Sequence, residues 1–227
     1  MGASKTIRDT AVLPAGALLF GLASFVAMFV FTTPRMYGVV APVNYIGYWH
    51  IALAWVSGVA LLITFGASAW YLHTRTRRFN LLAHSTGEVG FVFLTGTLAM
   101  GSIWGSEMWG TYWSWGDVRL VTLFITWLVY LGYLLVFAAT RDSEDRFAAA
   151  YGVLGFVTIP VSYVSTRLWN PAFHDPTVGA ESSGTVIEPT ALLLAIVAVT
   201  VLFVSLAAVR YRVHRVRDTV ICATGGR

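Results

Sequence analysis

The chain has 227 residues, 57% of them hydrophobic and 11% charged, against about 25% charged in an ordinary water-soluble domain. That balance excludes a soluble globular enzyme. The net charge of +4 comes with no nucleic-acid-binding motif and reads as membrane topology and contact with anionic lipid, while the single cysteine, Cys222, excludes an internal disulfide, a CxxC redox pair and covalent haem attachment through CxxCH.

Stretches without Asp, Glu, Lys or Arg mark the expected spans, since a helix needs about 20 apolar residues to cross the hydrocarbon and must satisfy its own backbone there. The first, 10–34, follows Lys5 and Arg8 and is long enough to stay as a helix over 11–32 rather than be cleaved as a leader. The second, 36–74, exceeds one helix. Its early Gly38, Pro42, Asn44 and Gly47 suit a loop, leaving 49–72 to span. The third, 89–106, is the shortest; the fourth and fifth, 120–140 and 147–166, give helices expected over 119–140 and 147–167. Pro160 lacks a backbone donor and predicts a kink in the fifth, and a sixth helix covers 189–209. The expected fold is an all-α membrane protein, one six-helix transmembrane domain over 1–227, with no internal repeat.

Lys and Arg accumulate in cytoplasmic loops. With six spans, Lys5, Arg8, Arg75, Arg77, Arg78, Arg141, Arg146, Arg210, Arg212, Arg215, Arg217 and Arg227 share one side, and only Arg35, Arg119 and Arg167 fall on the other. Both termini are therefore expected in the cytoplasm, with the chain multi-pass in the plasma (inner) membrane. His73, His84 and His214 then lie on or near the cytoplasmic side. His50, opening the second helix, and His174, between the fifth and sixth, face outward. So does the segment 104–118, which joins the third and fourth helices.

Four of the nine tryptophans, Trp104, Trp109, Trp113 and Trp115, fall in that outer segment beside Gly105, Glu107, Gly110 and Tyr112. Indole rings favour the membrane interface, which suffices for Trp49, Trp55, Trp70, Trp127 and Trp169. An anchor needs one or two rings, whereas a surface for a large flat apolar ligand needs several. Both readings stand for 104–118, and the clustering weighs towards the platform. Two histidines on the same face suggest the axial ligands of a haem iron held without covalent attachment. A structural zinc wants four ligands, and no outer cysteine supplies one. Arg119 and Arg167 suit haem propionates and equally suit snorkelling to lipid headgroups. Pro171, Pro176, Gly179, Gly184 and Pro189 make the segment carrying His174 a loop.

The stretch "GSIWGSEMWGTYWSWGDVRL" resembles the tryptophan-rich signature of the haem-handling proteins of cytochrome c maturation, most closely the CcmC family. "YWHIALAW" is similar to that family's first histidine segment and "IPVSYVSTRLWNPAFHDPT" to its second, in the same order along the chain. The resemblance implies that His50 and His174 are axial ligands of haem b. It also implies a cofactor site drawing on Trp104, Trp109, Gly110, Tyr112, Trp113, Trp115, Asp117, Arg119 and Arg167. The implied partners are haem, the haem chaperone CcmE, the transporter subunits CcmA and CcmB, and the small CcmD. Two positions depart from the family pattern: Gly116 intervenes before Asp117, and Ala52 stands where proline is usual. No nucleophile, metal-hydrolase motif or nucleotide loop occurs, so the chain is expected to be no enzyme, with any ATP used by a partner. The rivals are a bis-His membrane cytochrome, which would carry histidines deep in the bundle, and a CcsA-type cytochrome c synthase subunit, which has more helices. A transporter would place ionisable residues at mid-membrane, and the six charge-free runs hold none.

Overall fold

A computed structural model describes residues 15–16, 19–23, 26, 35–36, 39–40, 44–139, 145–169, 172–174, 185–186 and 188–223. Within the first expected span the described residues 15–16, 19–23 and 26 are helical, and the remainder of that span lies outside the described residues. The other elements are strand β1 (Arg35–Met36), strand β2 (Val39–Val40), helices α1 (Asn44–Thr74), α2 (Arg77–Trp109), α3 (Val118–Ala139), α4 (Asp145–Gly155) and α5 (Thr158–Leu168), strand β3 (Thr185–Val186) and helix α6 (Pro189–Ala223). The protein is an all-α membrane protein. Among the described residues five segments, with α4 and α5 together forming one, are long and apolar enough to cross a membrane. The short strands form one antiparallel patch in the order β2-β1-β3.

Only Arg75 and Thr76 separate α1 from α2, and Arg75 takes a left-handed backbone (φ 58) to reverse the chain. So short a connection makes the two helices antiparallel neighbours. Their contact is the most extensive among the described residues, and α6 packs against both. Tyr48, Ala52, Val56 and Ala60 recur every fourth residue along α1, and Ala191, Ala195, Val199 and Phe203 do so along α6. That spacing sets each row on one helix face, and the two rows meet Val89 and Phe93 of α2 in one core. Small residues let the backbones close up: a Cβ at Gly90 would lie 2.9 Å from the Cβ of Ala60. Ala52, fully buried here, is a core residue of this row. A second core joins Leu61, Leu94, Tyr130, Tyr133 and Ala148, where α3 and α4 meet α1 and α2.

Two helices outrun the charge-free segments that marked them. The span expected over 89–106 opens at Arg77, and the span expected over 189–209 runs on to Ala223. The expectation failed because Glu88 and Arg210 ended the apolar runs, yet each is the other's partner. Arg210 grips the Glu88 carboxylate through Nε and a terminal nitrogen, both at 2.7 Å. Just beyond, Arg77 pairs with Asp145 of α4 and with Asp218 of α6, the latter at 2.7 and 3.0 Å. Charges paired between helices do not end them. They tie α2, α4 and α6 together at one end of the bundle, the end where the arginines gather.

The fifth expected span divides into α4 and α5 around Phe156 and Val157. Pro160 supplies no N–H to the Phe156 carbonyl, which accepts instead from Ile159 at 3.0 Å in a tighter turn. The kink expected from Pro160 is thus a break three residues before it. α5 leans on α3 and carries the chain to the bundle end opposite the arginines.

Candidate functional site

At that opposite end the tryptophan segment begins as helix and finishes as loop. α2 stops at Trp109 because Gly110 adopts a left-handed backbone (φ 72) and its N–H caps the Ser106 carbonyl at 3.1 Å. Glycine takes that conformation without steric cost, so the part Gly110 plays is to end the helix. The Thr111 hydroxyl then donates to the Trp113 carbonyl at 2.9 Å and closes a compact turn. α3 starts after Asp117, whose Oδ1 accepts the N–H groups of Arg119 and Leu120, both at 3.1 Å. This is the N-cap arrangement that aspartate favours.

The same carboxylate does a second job. Asp117 is fully buried; its Oδ2 accepts the backbone N–H groups of Phe173 and His174 at 2.9 and 3.2 Å, and the His174 ring bonds through Nδ1 to Oδ1 at 3.0 Å. Burial opposes its ionisation, but the hydrogen bond and charge of His174 and the amides of Phe173 and Leu120 outweigh it, holding the carboxyl well below the usual carboxylate range. One side chain therefore caps α3 and clamps the His174 segment to it, with Gly116 in place just before it.

His50 is fixed in a parallel way. Its Nδ1 lies 3.0 Å from the Thr97 carbonyl of α2, a contact in which the ring donates. Its ring faces Trp104 at 5.9 Å between centroids and lies against Gly101, where an added Cβ would stand 2.7 Å from Cε1. With Nδ1 committed to an oxygen on each ring, the nitrogen left to bind a metal is Nε2 in both. A hydrogen bond at one imidazole nitrogen fixes tautomer and orientation for ligation at the other. In donor chemistry the two imidazoles therefore suit ligation of a haem iron. Gly101→Ala is expected to test the His50 seat without touching the ligand. The methyl displaces the ring, and a weakened axial bond with unchanged helix content, read by absorption and circular dichroism, is the outcome.

The four tryptophans do not form a single floor. Trp104 packs beside Gly47 and His50: a Cβ at Gly47 would lie 2.9 Å from its ring. Trp109 stacks on Phe173 at 5.1 Å and 9° and meets the His174 ring edge-on at 4.8 Å. Trp113 and Trp115 turn to α3, where both meet Phe124 edge-on, and Phe124 stacks on Trp127. Tyr112 and Trp115 are 67% and 71% exposed, which leaves flat faces uncovered at this end. Arg119 bonds to the Thr166 hydroxyl of α5 at 3.1 Å, and Arg167 lies over the Tyr163 ring at 5.6 Å. Beside them Gly116, Val118, Thr122, Val161 and Trp169 line a groove of about 480 Å³. The structure thus sets His50 against Trp104, holds His174 against Trp109 and Asp117, and places Trp113, Trp115, Arg119 and Arg167 around α3 and α5. Thr97, Gly101 and Phe173 belong to the site although sequence reasoning passed over them. Of these only Phe173, next to His174, carried a local signal.

The sequence profile of the family described as heme exporter protein C matches residues 4–222. The chain belongs to that family. It is 32% identical over 179 residues to the heme exporter protein C of Bradyrhizobium diazoefficiens, covering 74% of this chain and 66% of the relative. It is 34% identical over 147 residues to that of Paracoccus denitrificans, covering 63% and 60%. A cytochrome c biogenesis protein CcsA of Synechococcus is 38% identical over 93 residues, covering 41% and 30%. The chain thus spans about two thirds or less of the length of these curated relatives.

Proposed function

We propose that this chain is a haem-handling membrane protein of cytochrome c biogenesis, rather than an enzyme, and that its cargo is a non-covalently held haem b. The arrangement of His50 and His174 carries this reading. Each imidazole comes from a different part of the bundle, each is fixed at Nδ1 by a protein oxygen, and each has a tryptophan against it. The arginine-rich end faces the cytoplasm, so the histidine end opens on the outer face of the plasma (inner) membrane. Trp109 backs the His174 ligand, the exposed faces of Tyr112 and Trp115 receive the porphyrin edge, and Arg119 and Arg167 are the cations that meet the propionates. The break before Pro160 lets the His174 segment shift relative to the bundle, and a breakable ligand suits cargo that must leave. The recipient is the chaperone CcmE, and the working assembly includes CcmA, CcmB and CcmD.

The test is the absorption spectrum of the full chain purified in detergent and supplied with haem. A six-coordinate Soret band is expected. Trp109→Ala removes the ring held between Phe173 and His174 and is expected to lower haem retention more than Trp115→Ala. Each lost stacking contact costs on the order of 1 kcal/mol, about fivefold in affinity. No Soret band after haem is supplied, or full retention by a Trp109/Trp115 double variant, would return the tryptophans to membrane anchoring.

A further inference from the structure

The arginine-rich end carries a second pair of histidines that the haem reading does not use. His84 and Glu88 stand one turn apart on α2, and Arg210 and His214 one turn apart on α6, so all four meet between the helices. His84 Nε2 lies 3.2 Å from one Glu88 oxygen and His214 Nε2 lies 3.1 Å from the other. The two nitrogens and the carboxylate all fall within 4.8 Å of one another. Both imidazoles are buried, and the His84 ring stacks flat on Phe137 at 3.4 Å between centroids. We propose that His84, Glu88 and His214 form a binding site for a divalent transition-metal ion, of which zinc is the best match.

The geometry selects the ion. Zinc binds imidazole nitrogen and carboxylate oxygen at about 2.0–2.2 Å, so tetrahedral ligand atoms lie about 3.3 Å apart. The nitrogen-to-oxygen separations already approach that figure, and a small movement of the carboxylate admits the ion. Two histidines and a glutamate leave a fourth position for water. Haem does not fit: the two rings are 4.6 Å apart, tilted at 57°, and converge on one carboxylate, which leaves no gap for a porphyrin. Calcium and magnesium prefer oxygen ligands. Arg210 already neutralises Glu88 by two hydrogen bonds, so the charge balance does not call for two buried imidazoles as well. With the ion bound, Arg210 holds the outer side of the carboxylate as a ligand-orienting donor. Each imidazole then presents its Nε2 lone pair, with its ring proton on Nδ1. Glu88 precedes Thr97, the His50 contact, by nine residues of α2, about 14 Å of rise, so the two sites are separate.

Cobalt(II) is the probe, added to the full chain in detergent after chelator treatment and without haem. One equivalent is expected to give the visible ligand-field bands of a tetrahedral ion, displaced by zinc. His84→Gln and His214→Gln are each expected to weaken binding by at least about 10-fold. A His50→Ala/His174→Ala variant keeps the bands, so this site stands or falls apart from the haem site. Absence of a saturable band, or a band surviving in the His84→Gln/His214→Gln variant, overturns the proposal. X-ray absorption on the zinc-loaded unmodified chain provides a check that needs no variant: two imidazole nitrogens are expected, and a shell without imidazole overturns the site.

Discussion

Replacing His50 or His174 by alanine is expected to abolish the six-coordinate haem spectrum of the purified chain and the maturation of c-type cytochromes in cells. His73→Ala, on an exposed position at the arginine-rich end, changes neither. The expectation rests on what each ring does with its other nitrogen. Thr97 and Asp117 fix the two Nδ1 atoms, so each substitution removes a pre-oriented Nε2 ligand. A five-coordinate iron remains after a single substitution, and added imidazole is expected to restore the six-coordinate spectrum in part. Delivery is not restored with it, because a free ligand is unconnected to the His174 segment and cannot couple its movement to release. An unchanged spectrum in the double variant would place the iron elsewhere and end the haem assignment of these residues.

The rows of small and apolar residues on α1 and α6 recur at helical spacing and were legible as spans from the sequence. So were His50, which opens a span, His174, which lies between two, and the tryptophan cluster between two others, because each is a local feature. What escaped was everything that depends on pairing across the chain. Glu88 and Arg210 looked like the ends of spans, and only their contact over 122 residues of sequence shows them to be helix interior. His84 and His214 looked like boundary residues for the same reason. Gly101 and Thr97 gave no signal, since a glycine that makes room for a ring and a carbonyl that accepts from one are invisible until two helices are set together. The tryptophans were legible as a cluster, but their division among His50, Phe173 with His174, and Phe124 follows from where α2 stops, at the left-handed Gly110.

Asp117 shows how far that non-local content matters, and Asp117→Asn is expected to separate its two roles. Asparagine is as good an N-cap as aspartate, so its oxygen can still receive the amides of Arg119 and Leu120 and the α3 start survives. Its NH₂ group then faces the N–H groups of Phe173 and His174, donor against donor, and the clamp opens. The expected result is a thermal transition within a few degrees of the unmodified chain together with a haem affinity about 10- to 100-fold lower, the usual cost of losing a partner that orients a histidine ligand. Asp117→Ala loses the cap as well, about 1 kcal/mol more in stability. The pH dependence has a definite sign. The folded carboxyl titrates below its ordinary value, near 3.9, so its stabilising contribution is complete above that value and disappears only as the pH falls through the depressed one. Acidification to about pH 5 therefore leaves the clamp closed in the unmodified chain. Because Asp117 holds the His174 ring at Nδ1, its substitution is also expected to shift the ligand-field signature of haem iron supplied to the chain by weakening the basicity of that imidazole. An asparagine variant that keeps both full haem affinity and the unmodified spectrum would reduce Asp117 to a helix cap.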